Sequence, residues 1–149
     1  MKAVILCGGF GTRFSEETKK KPKPMIKVGK YPILFHIMKT YESHGITDFI
    51  LALGYKGFVI KKYFQDENIE KLNKGYNKHA NIKTDPKKWN VTFCFSGLRT
   101  MTGGRLLRLK KLLKNEKNLL LTFGDGLSNV NIQKLIKFHN QKKKIATVT

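Results

Sequence analysis

Acidic residues are scarce in this chain: 10 Asp and Glu stand against 30 Lys and Arg, a formal net charge of +20 over 149 residues. Cysteine is scarcer still. Cys7 and Cys94 form no C-x-x-C pair and offer no zinc spacing, and both lie in apolar, strand-like runs, so buried free thiols in a reducing, cytoplasmic setting are expected. No apolar run approaches the ~18–20 residues of a membrane helix. The apolar start, Ala3-Val4-Ile5-Leu6, is too short for a signal peptide and runs straight into glycines. Arginine is also rare. The positive excess is 26 Lys and only 4 Arg, and the lysines are scattered along the chain. Specific nucleic-acid readers use the bidentate guanidinium fork that ammonium lacks, so the high pI reads as a solvated lysine background and nucleic acid is not the expected partner.

With 40% hydrophobic residues the chain can fill a core. Lys2–Cys7, Met25–Val28, Asp48–Leu53, Val91–Phe95, Asn118–Phe123 and Lys144–Thr149 read as strands. Pro32–His44, Lys56–Phe64, Gly103–Asn115 and Asn131–Lys142 read as helices. In the first of these, Ile33, Leu34, Ile37, Met38 and Tyr41 share a face, Pro32 suits the first turn and Gly45 the C-terminal cap. Alternating strands and helices imply a layered α/β domain with a mainly parallel central sheet. Phe14–Pro24 ends in Lys-Pro-Lys-Pro, which is expected to be neither helix nor central strand. Gln65–Lys88 is polar and lysine-rich, with weak periodicity, and reads as a surface excursion or partner-contact segment; Trp89 reads as a packing residue. The chain stops inside the strand-like Ile145-Ala146-Thr147-Val148-Thr149, which suggests the front part of something longer.

Four motifs carry chemistry. Gly8-Gly9-Phe10-Gly11-Thr12-Arg13 follows the first strand, where ligands of open α/β sheets collect and where glycines let backbone N–H groups approach a phosphate; a tight structural turn is the plainer reading. It is neither a P-loop nor a dinucleotide fingerprint, because G-x-x-x-x-G-K-[ST] is absent and Phe14 stands where a third Gly belongs. Lys21-Pro22-Lys23-Pro24 holds Lys23 between prolines, a fixed point charge suited to phosphate. Asp125 lies between Gly124 and Gly126 at the end of an apolar strand, where a carboxylate can hold Mg²⁺ or simply close a turn. Thr100-Met101-Thr102-Gly103-Gly104-Arg105 opens a helix and suits an anion or a close base contact, or is a helix start with two surface arginines, Arg105 and Arg108.

The string GGFGTRFSEETKKKPKP resembles the G-G-x-G-T-R…P-K-P signature of sugar-phosphate nucleotidyltransferases. The resemblance covers Met1 to about Phe64 and about Trp89 to Thr149. It implies a Rossmann-like three-layer α/β/α domain over 1–149, a nucleotide-binding domain lacking a C-terminal sugar-binding portion. Thr100 to Arg105, Gly54-Tyr55-Lys56-Gly57 and Pro32 to Lys39 narrow it to the cytidylyl-transferring branch. That branch implies transfer of CMP from CTP to glucose 1-phosphate, giving CDP-glucose and pyrophosphate, in nucleotide-sugar supply for lipopolysaccharide O-antigen; uridylyl or thymidylyl transfer, or a non-catalytic nucleotide-binding fragment, are the alternatives. Arg13 and Lys23 would be catalytic. Leu6, Cys7, Gly8, Gly9, Phe10, Gly11, Thr12, Arg13, Lys23, Thr100, Gly103, Arg105 and Gly124 would bind nucleotide, with Mg²⁺ on Asp125. A homo-oligomer with no membrane association is expected. Cys7 in place of a small Ala, Gly29-Lys30 for Gly-Gly and Leu98 for a polar residue depart from the pattern.

Overall fold

The structure is a computed structural model that describes residues 1–9, 21–65, 76–77, 81–82 and 89–149. Its centre is a sheet of four parallel strands: β1 (Lys2–Cys7), β4 (Asp48–Leu53), β7 (Asn90–Phe95) and β8 (Leu119–Phe123), in the spatial order β7-β4-β1-β8. Between β1 and β4 lie a short hairpin, β2 (Lys27–Val28) with β3 (Tyr31–Pro32), and the helix α1 (Ile33–Ser43). Helix α2 (Gly57–Gln65) follows β4, and the two-residue strands β5 (Tyr76–Asn77) and β6 (Asn81–Ile82) pair with each other. Helices α3 (Thr102–Arg108) and α4 (Lys110–Leu113) join β7 to β8, and α5 (Ile132–Lys142) follows β8.

Alternation along the strands builds the two faces. Ala3, Ile5 and Cys7 of β1 join Phe49, Leu51 and Leu53 of β4 in a large core. Leu34, Ile37, Met38 and Tyr41 of α1, Ile60 and Phe64 of α2, Trp89 and Ile132 complete it. Val4 and Leu6 turn to the opposite face with Ile50, Ala52 and Leu109, where Leu106 and Leu113 pack on them. A strand buried on both faces reads as a continuous apolar run, which is why KAVILC and FILAL were legible as strands. The crossover carrying α3 and α4 lies on the face opposite α1 and α2. Right-handed crossovers on opposite faces propagate a sheet in opposite directions, so β8 lands on the far side of β1. The strand order therefore reverses between β1 and β8, and their carboxyl ends part there to form a crevice.

Helix α1 ends as its Gly45 foretold. Gly45 adopts φ +82°, its N–H donates to Glu42 O at 2.8 Å and that of Ile46 to Tyr41 O at 3.0 Å, the paired bonds of a Schellman motif. Asn131 caps α5 by accepting from the Lys134 N–H at 2.9 Å. Trp89 is fully buried between Phe35 and Phe49, a packing residue as expected.

Four expectations need correction. Lys144–Thr149 forms no strand: Ile145 and Val148 are wholly exposed. Its β-branched residues have the propensity, but no neighbouring strand pairs with them, and propensity without pairing does not make a strand. The single helix expected over Gly103–Asn115 is broken at Leu109, whose N–H bonds to Leu106 O at 3.0 Å while its side chain plugs the second core. Lys23–Met25 forms one 3-10 turn despite its prolines, because proline's missing N–H costs nothing in a first turn. Of Met25–Val28, only Lys27 and Val28 are strand. Apart from β5 and β6, the surface excursion at 66–88 lies outside the described residues.

The second face rests on few residues, so it should be sensitive at Leu109. Leu109→Ala is expected to cost about 2–5 kcal/mol, whereas Leu107→Ala, at a position 70% exposed, should cost well under 1 kcal/mol by the usual surface behaviour, about ±0.5. Urea midpoints of the two variants test this; equal shifts would show that α3 and α4 do not seal that face.

Candidate functional site

Three segments meet at the β1/β8 crevice. Strand β1 delivers Leu6, Cys7, Gly8 and Gly9; β8 delivers Gly124 and Asp125; the 3-10 turn delivers Lys23 and Pro24. The Gly124 N–H donates to Leu6 O at 3.0 Å, which prolongs the β1/β8 ladder past Phe123. A Cβ on Gly124 would stand 2.8 Å from Cys7 Sγ and 2.9 Å from Pro24 Cγ, so only glycine lets the three segments close together. Lys23 Nζ then lies 3.6 Å from Asp125 Oδ2, both side chains partly exposed. The two residues singled out as a phosphate cation and a metal carboxylate, about a hundred positions apart in sequence, thus face each other across the crevice mouth.

Arg105 is placed differently from a surface arginine. It is 6% exposed, and its guanidinium runs beneath the strand ends. Nη1 donates to Ser96 Oγ at 2.7 Å, Gly97 O at 2.8 Å and Leu53 O at 3.4 Å. Nη2 donates to Gly8 O at 2.8 Å and Leu98 O at 3.3 Å. One side chain thereby ties the carboxyl ends of β1, β4 and β7. Burial lowers its pKa, the neighbouring Arg108 adds to the effect and Cys7 opposes it; an arginine still keeps its proton. Arg108 Nη1 donates to Ser96 O at 2.8 Å. The glycines of two motifs find their reason here. A Cβ on Gly8 would overlap the Arg105 guanidinium, and one on Gly54 would sit 2.7 Å from both Arg105 Nη1 and Gly8 O. Gly97 takes φ +95° over Arg108.

Burial pushes the Cys7 thiol far up, with the Asp125 charge adding and Arg105 opposing, so Cys7 is a neutral packing group rather than a nucleophile. It is buried as expected, whereas Cys94 is only half-buried. Thr100 precedes Met101, which holds the N-cap position of α3 without a side-chain capping bond, and Gly103 lies in the first turn, where no atom of the described residues would meet an added Cβ. Phe10, Gly11, Thr12 and Arg13 lie outside the described residues. Among the described residues no cluster of three or more His, Cys, Asp or Glu side chains forms a ready metal cage. His36 bonds Val28 O and His139 bonds Thr147, both away from the crevice. Sequence reasoning missed Ser96 and the inward role of Arg108. A polar residue directly after a core strand, before a glycine, was the available signal for Ser96.

Comparison with known proteins bears on the family and the fold. A model of the nucleotidyl transferase family matches residues 2–149. The chain is 47% identical over 153 aligned positions to a glucose-1-phosphate cytidylyltransferase of Salmonella typhimurium, covering 100% of this chain and 60% of that protein. It is equally similar, at 47%, to a protein of Bacillus subtilis described as a probable glucose-1-phosphate cytidylyltransferase, covering 100% and 59%. The chain thus spans about 60% of the length of these curated relatives. Among solved structures, a UTP-bound UGPase from Acinetobacter baumannii superposes with a TM-score of 0.73 at 20% identity, over 95% of this chain and 53% of that one; it shares the fold.

The glycine packing can be tested by stability. Gly54→Ala forces a Cβ against backbone and a buried guanidinium and should cost about 1–3 kcal/mol. At Gly9, no atom of the described residues lies within 4 Å of the added carbon, and Gly9→Ala should be neutral within about 0.5 kcal/mol. Thermal unfolding of both variants decides; an unaffected Gly54→Ala would mean the β1 and β4 ends are not so closely apposed.

Proposed function

The chain belongs to the nucleotidyl transferase family, and from that premise we propose that it is the nucleotide-binding part of a glucose-1-phosphate cytidylyltransferase, acting on CTP and glucose 1-phosphate. The observation that carries the reading is the meeting of Lys23 and Asp125, 3.6 Å apart, beside glycine backbone at the strand-order reversal. The 47% identity along the whole chain to relatives named for this activity supports the choice of base and sugar.

In the proposed reaction a phosphate oxygen of glucose 1-phosphate attacks the α-phosphorus of CTP in line. The new P–O bond forms as the bond to the bridging oxygen of the β-phosphate breaks, and pyrophosphate carries away the electron pair. No protein nucleophile is required, and the thiol nearest the loop is held neutral. Catalysis rests on positioning and charge neutralisation. The backbone from Leu6 through Thr12 would line the triphosphate. Arg13 would neutralise charge gathering on pyrophosphate, and Lys23 would steady the α-phosphate or the incoming sugar phosphate. Thr100, Gly103, Arg105 and Gly124 would border the nucleotide.

Asp125 offers one partly exposed carboxylate whose present counter-ion is Lys23. Mg²⁺ commonly takes one or two carboxylates and completes its shell with phosphate oxygens and water. The donor set therefore fits an ion that arrives with the nucleotide rather than one caged by protein. Bound there, Mg²⁺ would supply charge neutralisation on the phosphate oxygens.

Titration calorimetry with CTP, UTP and dTTP in the presence of Mg²⁺ tests the base assignment. CTP should bind at least about tenfold more tightly, the worth of one discriminating polar contact; tighter UTP or dTTP binding would move the chain to another branch of the family. Lys23→Met should weaken CTP by about 10–100-fold through loss of a charge-assisted contact. Asp125→Asn should remove the Mg²⁺-dependence of CTP affinity, and an unchanged dependence would displace the metal from Asp125.

A further inference from the structure

We infer that Ser96 is a positioning residue that holds Gly8, the residue after β1 at the proposed nucleotide site, by acting through Arg105; as a statement about nucleotide, this rests on the proposed function. Ser96 is completely buried, yet it follows a strand end where an apolar residue would fill the same space. Its hydroxyl works in both directions. Oγ donates to Leu53 O at 2.8 Å and accepts from Arg105 Nη1 at 2.7 Å. A hydroxyl can do both at once, whereas an alkyl group can do neither. The Ser96 backbone joins the same knot, its N–H donating to Leu53 O and its carbonyl accepting from Arg108.

The consequence lies at the other end of the guanidinium. The group is rigid and planar, so fixing Nη1 against Ser96 fixes where Nη2 points, and Nη2 donates to Gly8 O at 2.8 Å. Gly8 is the first residue of the loop, and its lack of a side chain is what admits the guanidinium. Without the Ser96 hydroxyl, Nη1 keeps Gly97 O and the long 3.4 Å contact to Leu53 O. Nη2 keeps Gly8 O and Leu98 O, so the guanidinium stays in place but loses one of its two short Nη1 bonds, and the anchor on Gly8 is loosened. Ser96 itself has no path to substrate, since it is fully buried behind Arg105.

The two cysteines supply a probe of Gly8 position that needs no nucleotide. Cys7 adjoins Gly8 and is 1% exposed, so its rate of maleimide labelling, resolved from that of Cys94 by peptide mass spectrometry, reports how often the β1 end opens. In Ser96→Ala, measured well below its unfolding temperature, Cys7 should label about tenfold faster and CTP should bind about tenfold more weakly, the scale of one hydrogen bond to a charged group. Ser96→Thr, which restores the hydroxyl, should recover both. Should Ser96→Ala not fold, Arg105→Lys, which keeps the charge but loses the fork, is expected to move both readouts the same way. Wild-type labelling in the alanine variant overturns the inference. So does faster labelling with unchanged CTP affinity, or failure of threonine to rescue, since a purely structural serine would behave so. A wild-type chain that binds no nucleoside triphosphate refutes the proposed function instead, and the Cys7 rates alone then decide whether Ser96 positions Gly8.

Discussion

Strand β1 is packed on both faces and paired along both edges, and the site depends on that confinement. Its register is fixed on one side by Ala3 opposite Phe49 through Cys7 opposite Leu53, and on the other by Lys2 opposite Leu119 through Leu6 opposite Phe123. A slip of one residue would exchange Ala3, Ile5 and Cys7 with Val4 and Leu6 between two different cores, and each core would then meet side chains of the wrong volume. With the register locked, Gly8 must emerge beside Gly54 and one residue from Gly124. The glycine loop, the metal-candidate carboxylate and the proline-flanked lysine are neighbours because β1 cannot move.

Parallel strands that stop together leave carbonyl groups without ladder partners, and such groups cost free energy when buried. Arg105 answers that need. Its donors reach the Gly8, Gly97 and Leu98 carbonyls after β1 and β7, with Ser96 Oγ as a further acceptor and a long contact to Leu53 O, which Ser96 already satisfies. A buried cation without a carboxylate partner is ordinarily unfavourable. Here several carbonyl dipoles take the place of a counter-ion, and the charge is left at the base of the crevice. Lys23 stands at its mouth against Asp125. Among the described residues, Arg105 and Lys23 are cations held by named contacts at this end of the sheet, unlike the scattered lysines.

Much of the architecture was legible beforehand because it rests on local pattern. The four sheet strands, α1, α2 and α5 follow from apolar runs and 3.6-residue periodicity, and Gly45 marked a helix end through its left-handed conformation. Two of the exceptions turn on contacts distant in sequence. Lys144–Thr149 had strand-like residues but no strand beside it. The helix after Gly103 had leucines at helical spacing, but the second core takes Leu109 in a position that a straight helix would not offer. In the first case the partner that a strand needs is missing among the described residues, and in the second a core distant in sequence overruled the local preference.

The residues of the candidate site divide along the same line. The amino-acid sequence by itself determined the α/β class, the glycines after β1 and β8 and the candidate roles of Lys23 and Asp125, because those signals lie within a few consecutive residues. It also placed Arg105 at the start of a helix, but it could not tell whether that side chain faced water. Only the tertiary structure decided that Arg105 turns inward, that Ser96 receives it and that Gly8 and Gly54 are small to make room. Those facts depend on the parallel alignment of β1, β4 and β7, which brings residues about fifty and a hundred positions apart to one end of the sheet.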